Sequence, residues 1–159
     1  MYAQIRKPGK SITRVTSTAA AADPPVPPWI GMPDNRKGHG RREVKLRDLK
    51  VMLLGGIGKV SLSESLYYTA LKTNNRAAYD KYIHANNRAS DTWAKFQQTL
   101  SSIRRKGFQI LDPHIYITAD NEVFDGHHRL AIAMLLYGSD SKLHISGSRV
   151  VGFITSHGL

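Results

Sequence analysis

The chain has 159 residues, no cysteine, and 23 lysines and arginines against 12 aspartates and glutamates, a formal charge of +11 with the histidines neutral. That length fits one domain with room for a tail, and a hydrophobic content of 41% is too high for a wholly disordered chain. Without cysteine there is no disulfide framework, no Cys-based zinc site and no thiol nucleophile. This suits a reducing compartment, and a cytoplasmic protein is expected. Every apolar run is far shorter than the ~20 residues that cross a bilayer, so no membrane span is expected. Met1 to Val15 mixes charges with Pro8-Gly9 and has no apolar secretory core. The first 22 residues are acid-free and basic, as in an organellar transit peptide, but Pro8-Gly9 would break the amphipathic helix such a peptide needs. The surplus charge points to polyanionic company: nucleic acid, nucleotides or an anionic surface.

The charge is unevenly spread. Residues 1–42 hold eight basic side chains (Arg6, Lys7, Lys10, Arg14, Arg36, Lys37, Arg41 and Arg42) and two acids (Asp23 and Asp34), a net +6. Residues 43–159 carry +5. The first segment also contains Ala19-Ala20-Ala21-Ala22, the proline cluster Pro24 to Pro28, and Lys37-Gly38-His39-Gly40. Prolines fix extended geometry and remove donors. Residues 1–42 therefore read as a largely irregular basic arm, by composition a solvated tail, with Trp29 and Ile30 as its candidate pins. Residues 43–159 read as the domain.

Periodic structure begins near residue 43. Glu43 to Leu49 alternates Val44 and Leu46 with charged neighbours, a short edge strand. Leu54-Gly55-Gly56-Ile57-Gly58-Lys59 resembles a phosphate loop but lacks the Walker spacing and its Lys-Ser/Thr pair, so it reads as a flexible loop or lid. Ser63 to Lys72 forms a helix with Leu66, Tyr67, Ala70 and Leu71 on one side, and Asn74-Asn75 breaks it. Arg76 to Ala85 is a second helix, with Ala78, Tyr79, Tyr82 and Ile83 at helical spacing. A third follows Ser90 or Asp91 as cap, its stripe being Trp93, Phe96, Leu100 and Ile103. Arg104, Arg105 and Lys106 load its last turn, where cations suit the dipole, and Gly107 is placed to end it with a positive φ.

The period then changes. His114 to Thr118 is a strand, Ala119-Asp120-Asn121 a turn, and Glu122 to Phe124 the returning strand of a hairpin. Asp125-Gly126 ends it. A helix runs at once from His127 to Tyr137, closed by Gly138 and apolar nearly all round, which marks a central buried helix. A last strand is expected at Ser148 to Ile154.

Chemistry concentrates at Asp125-Gly126-His127-His128-Arg129. The first turn of a helix has unpaired N–H groups and a partial positive charge, so it attracts anions. Gly126 permits a positive φ and close backbone approach. Arg129 offers a fork for phosphate oxygens, and His127 and His128 are donors of which one can move a proton. Simpler roles compete: Asp125 as a plain N-cap, Arg129 in a structural salt bridge to Glu64, Asp80 or another acid. A metal site is disfavoured, because adjacent histidines point to different sides of a helix and no third ligand sits at the right spacing.

The run Phe124-Asp125-Gly126-His127-His128-Arg129-Leu130-Ala131, after a hairpin and on a buried helix, resembles the signature helix of the ParB/sulfiredoxin superfamily. Sulfiredoxins carry Phe-Gly-Gly-Cys-His-Arg there, ParB N-terminal domains carry Gly-Glu-Arg-Arg-x-Arg, and free serine kinases of the same fold carry a similar Asp-Gly-His-His-Arg-type run. Upstream, Ser63 to Tyr68, Tyr79 to Ile83 and Lys106-Gly107-Phe108 are similar to small ParB-like proteins often associated with surface-polysaccharide gene clusters. The likeness covers about residues 43–153. It implies an α+β fold: a small mixed sheet around the central helix, with an upstream helical subdomain. His127 replaces the sulfiredoxin cysteine, which excludes sulfinic acid reduction. Of the ParB run only Gly126 and Arg129 are kept, which argues against CTP-clamp behaviour.

The resemblance implies a nucleotide triphosphate or diphosphate (ATP, ADP or CTP, with Mg2+ as companion) held by Gly126, His127, His128 and Arg129. Phosphoryl transfer to a small-molecule acceptor then needs a carboxylate as base. Glu64 resembles the upstream acidic position of the kinases, although a first-turn helix acid is its bland alternative; Asp125 is the second candidate, and His127 a proton carrier. A small-molecule kinase or related phosphotransferase is the leading expectation. The competitors are a DNA-binding or nuclease-like module using the basic arm, against which stands the lack of any helix-turn-helix pattern or acidic cluster, and a non-catalytic interaction protein.

Overall fold

A computed structural model describes residues 14–16, 32, 34–52, 58–85, 91–110 and 114–156. The architecture is α+β. Its main sheet is built from β2 (Arg41–Lys45), β7 (Lys142–Ser146), β8 (Arg149–Ile154), β5 (Tyr116–Ile117) and β6 (Val123–Asp125) in that spatial order, with β1 (Arg14–Thr16) also on β8. A hairpin of β3 (Lys50–Met52) and β4 (Lys59–Ser61) stands beside it. A mixed sheet was the expectation. The ladders among the described residues are antiparallel, and the parallel pairing is confined to the isolated bridge between Lys50 and Glu122.

The helices are α1 (Leu66–Thr73), α2 (Arg76–Ala85), α3 (Trp93–Lys106) and α4 (His127–Tyr137). Local chemistry sets their ends. Ser65 accepts from the Tyr68 N–H at 3.2 Å and starts α1. Asn74 stops it in the left-handed region at φ +52. The Asn75 side chain accepts from the Ala78 N–H at 3.0 Å and opens α2. On α3 the cap is Thr92, whose hydroxyl accepts from the Lys95 N–H at 3.1 Å, rather than Asp91; Ser90, the other candidate, lies outside the described residues. Gly107 ends α3 at φ +89.

Helix α4 is the centre of the core. Leu130 to Ala133 are fully buried, Met134 and Tyr137 nearly so, and the helix packs against α1 and α3. Its C-terminal Tyr137 meets Phe153 of β8, with ring centres 5.8 Å apart. Helices α1, α2 and α3 contribute Tyr67, Tyr79 and Phe96 to the same hydrophobic cluster, so the upstream helices share one core with the sheet.

Two segments depart from the sequence reading. The strand expected over 43–49 occupies 41–45, and Leu46–Asp48 forms a 3₁₀ turn. Leu46 and Leu49 are both fully buried; a strand would send them to opposite faces, whereas a three-residue turn brings both inward. The strand expected over 114–118 is shortened to Tyr116–Ile117 by an irregularity of register. The glycine-rich loop at 54–57 falls among residues the structure does not describe.

The 42/43 boundary falls inside β2. Met32 is buried. The Arg42 guanidinium donates to the carbonyls of Gly147 at 3.1 Å and Thr118 at 2.6 Å. Arg36 donates to both oxygens of Glu122, at 2.9 and 3.0 Å. Part of the arm's charge is therefore structural.

Glu122 is the buried anchor of that ion cluster, with a side chain only 4% exposed. Lys59 reaches it at 3.0 Å and Asp120 at 2.8 Å, tying β4 to the β5–β6 turn. Hydrogen bonds from Lys59 and Thr118 hold the Asp120 carboxyl down at about 2. A depressed carboxylate stabilises the fold above its ordinary pKa of 3.8, and that contribution is lost as pH falls through the folded value of about 2. Lys59→Met is thus expected to cost about 1 kcal/mol at neutral pH, since Asp120 is half exposed and screened. The penalty should shrink between about pH 4 and pH 2 in urea unfolding curves, and a pH-independent penalty would contradict this assignment.

Candidate anion-binding cleft at the start of the central helix

Strand β6 delivers the chain into α4 through Gly126. Its φ is +103, and a Cβ placed there would lie 2.8 Å from Ile115 Cγ2. Glycine is required twice over, by conformation and by space. Gly126 is the residue that precedes the first helical turn, and it has no side chain to cap it. Asp125 is the last residue of β6, opposite Tyr116, and not the N-cap.

A cleft of about 400 Å³ opens at this turn, within the range of small-molecule sites. One wall is Asp125 to Arg129. The facing wall comes from α3 and its lead-in, with Asp91, Lys95, Phe96 and Thr99, and from Tyr79 of α2. Arg129 and Lys95 thus line one cleft, backed by the buried rings of Phe96 and Tyr79.

The side chains of the first turn are individually held. His127 stacks on Tyr67, with ring centres 5.1 Å apart and planes 27° apart. His128 meets the same tyrosine edge-on at 4.9 Å and Phe96 at 4.8 Å, and its Nε2 lies 2.8 Å from the Tyr79 hydroxyl. The Tyr67 hydroxyl accepts a hydrogen bond from that of Tyr82. Arg129 donates to the carbonyls of Gln109 at 3.3 Å and His114 at 3.4 Å. These contacts bridge the connection between α3 and β5 while the same side chain lines the cleft.

Five of the six candidate residues thus come together: Asp125, Gly126, His127, His128 and Arg129. Glu64 does not join them. It is exposed, does not line the cleft, and accepts from the Ser61 hydroxyl at 3.0 Å and the Ser61 N–H at 3.3 Å as a capping residue. Asp80 pairs with Arg76 one turn earlier on α2.

No protein-family model, no curated protein and no solved structure matches this chain. Function must therefore be read from the cleft itself. Among the described residues no group of three or more His, Asp or Glu side chains is arranged to hold a metal ion, and no helix is long and apolar enough to cross a membrane.

The facing wall was not visible as a site in the sequence. Lys95 and Thr99 sit four residues apart on α3 and share a face, while Asp91 precedes the Thr92 cap. The apolar stripe of α3 is the stronger signal and draws attention to the opposite side. Tyr79 reads as core, and it is 1% exposed; only tertiary packing turns its hydroxyl toward His128.

Proposed function

We propose that this chain binds a nucleotide through its phosphates at the N-terminus of α4 and transfers a phosphoryl group to a small-molecule acceptor. The observation that carries the reading is the convergence, in one cleft, of the first turn of a buried helix with Arg129 and Lys95. The resemblance of Phe124 to Ala131 to the ParB/sulfiredoxin signature points to the same turn. Backbone N–H groups and Arg129 take phosphate oxygens.

In such a reaction the terminal phosphoryl passes from the nucleotide to an acceptor hydroxyl, whose proton goes to a carboxylate while the diphosphate leaves. With Glu64 engaged at Ser61, Asp125 at the cleft takes that role, and His127 beside it is placed to carry the proton on. Mg2+ would enter with the nucleotide. Nucleic-acid binding through the arm is less favoured, because Arg36 and Arg42 are engaged inside the domain.

Thermal unfolding in the presence of ATP, ADP, CTP (each with Mg2+) and inorganic phosphate tests this reading. At a ligand concentration of about 100 Kd, linkage predicts about 2.7 kcal/mol of stabilisation, a rise of roughly 5–10 °C for a chain of this size. Absence of a shift with every nucleotide would overturn the proposal.

A further inference from the structure

Tyr79 and His128 are 49 residues apart in sequence, yet the tyrosine hydroxyl lies 2.8 Å from His128 Nε2. The tyrosine ring is itself clamped, 5.4 Å from Trp93 and 5.1 Å from Phe96, and is 1% exposed. The hydroxyl is therefore held rather than free to search for a partner.

We infer that Tyr79 is a positioning residue for the cleft: its hydroxyl donates to His128 Nε2 and thereby fixes His128 as the neutral ring that carries its proton on Nδ1. This role rests on the anion-binding reading of the cleft. The direction of the bond follows from acid–base strength. A phenol is a better proton donor than a neutral imidazole N–H, and the bare imidazole nitrogen is a better acceptor than a phenol oxygen, so O–H to N is the favoured pairing. Two surroundings hold the ring neutral. The rings of Tyr67, Tyr79 and Phe96 pack against it, and the helix N-terminus disfavours added positive charge. Among the described residues, the charged or titratable groups that share its cleft include His127 and Arg129 on α4, Lys95 and Asp91 on the α3 side, and Asp125 on β6. A ring fixed in one tautomer keeps each nitrogen in one role, donor or acceptor, whereas a ring that exchanges tautomers does not.

Nitrogen-15 NMR of the histidine-labelled full chain, without ligand, reads the tautomer directly. His128 is expected as a single Nδ1–H form. In Tyr79→Phe, which keeps the ring contacts, the His128 signals should move toward the Nε2–H form or a mixture. The affinity for ATP with Mg2+ should fall by roughly tenfold, the worth of one ordinary hydrogen bond. A wild-type His128 found as Nε2–H or as the cation would overturn the inference without requiring any variant. An unchanged tautomer and unchanged affinity in Tyr79→Phe, with wild-type binding intact, would overturn this role alone. A wild-type chain that binds no nucleotide would overturn the role together with the functional reading, while the tautomer stands as a separate result.

Discussion

Gly126→Ala is expected to destabilise the fold by about 3 kcal/mol. Two terms add. A non-glycine residue in left-handed backbone costs roughly 1–2 kcal/mol, and Gly126 has φ +103. Forcing a methyl into packed core adds about 1–3 kcal/mol, and here the new carbon would meet three atoms of Ile115 between 2.8 and 3.2 Å. Ile115 is fully buried and cannot move aside into solvent. Gly40→Ala is the matched control. Its φ is +71 with nothing within 4 Å of the added carbon, so only the conformational cost of about 1 kcal/mol applies. Urea unfolding of both variants separates the terms. Equal losses would mean that Ile115 yields and that the turn is less tightly specified than its geometry indicates.

Arg129 should dominate binding. Hydrogen bonds from a charged group contribute about 1.5–3 kcal/mol each, so Arg129→Ala is expected to weaken nucleotide affinity by roughly 100-fold. Arg129→Lys keeps the charge but loses the planar fork, and should weaken it by about tenfold. Both variants also release the carbonyls of Gln109 and His114, contacts long enough that the stability loss should stay near 1 kcal/mol. Isothermal titration together with unfolding curves distinguishes the two roles. Reduced stability with unchanged affinity would leave Arg129 as a strut between α3 and β5 and nothing more.

The parts of the fold that could be read in advance are those whose signals are local. Helix α2 runs over Arg76–Ala85 and α4 over His127–Tyr137 as the spacing predicts, because apolar periodicity and the flanking asparagines or glycines lie within the segments themselves. Strand β7 went unread, although Leu143 and Ile145 are buried and alternate with Lys142 and His144. Its polar outer residues and its Ser-Gly-Ser turn look like loop until the partner strand is known. Strand β1 has no local signal at all, since Arg14–Thr16 is defined by pairing with Gly152–Ile154 at the far end of the chain. The 3₁₀ turn at Leu46 arises in the same way, from burial of both Leu46 and Leu49 against the assembled core.

The same division holds at the cleft. The turn from Asp125 to Arg129 is legible because its glycine, charges and helix start are contiguous. Tyr79, Asp91 and Lys95 are brought to it by packing of α3 on α4 and of α2 on α3, which no spacing within one segment encodes. Glu64 shows the limit of a likeness in sequence: it resembles an upstream acidic position of the kinases, and its carboxylate accepts from Ser61, the residue just before the Leu62–Glu64 turn.

The most direct test of phosphate capture at α4 is a titration of the nitrogen-15-labelled full chain with ATP and Mg2+, followed by backbone amide shifts. The account predicts the largest saturable changes at the N–H groups of His127, His128 and Arg129, with smaller ones at Asp91 and Lys95. Shifts confined to other parts of the chain, or none at saturating nucleotide, would contradict it.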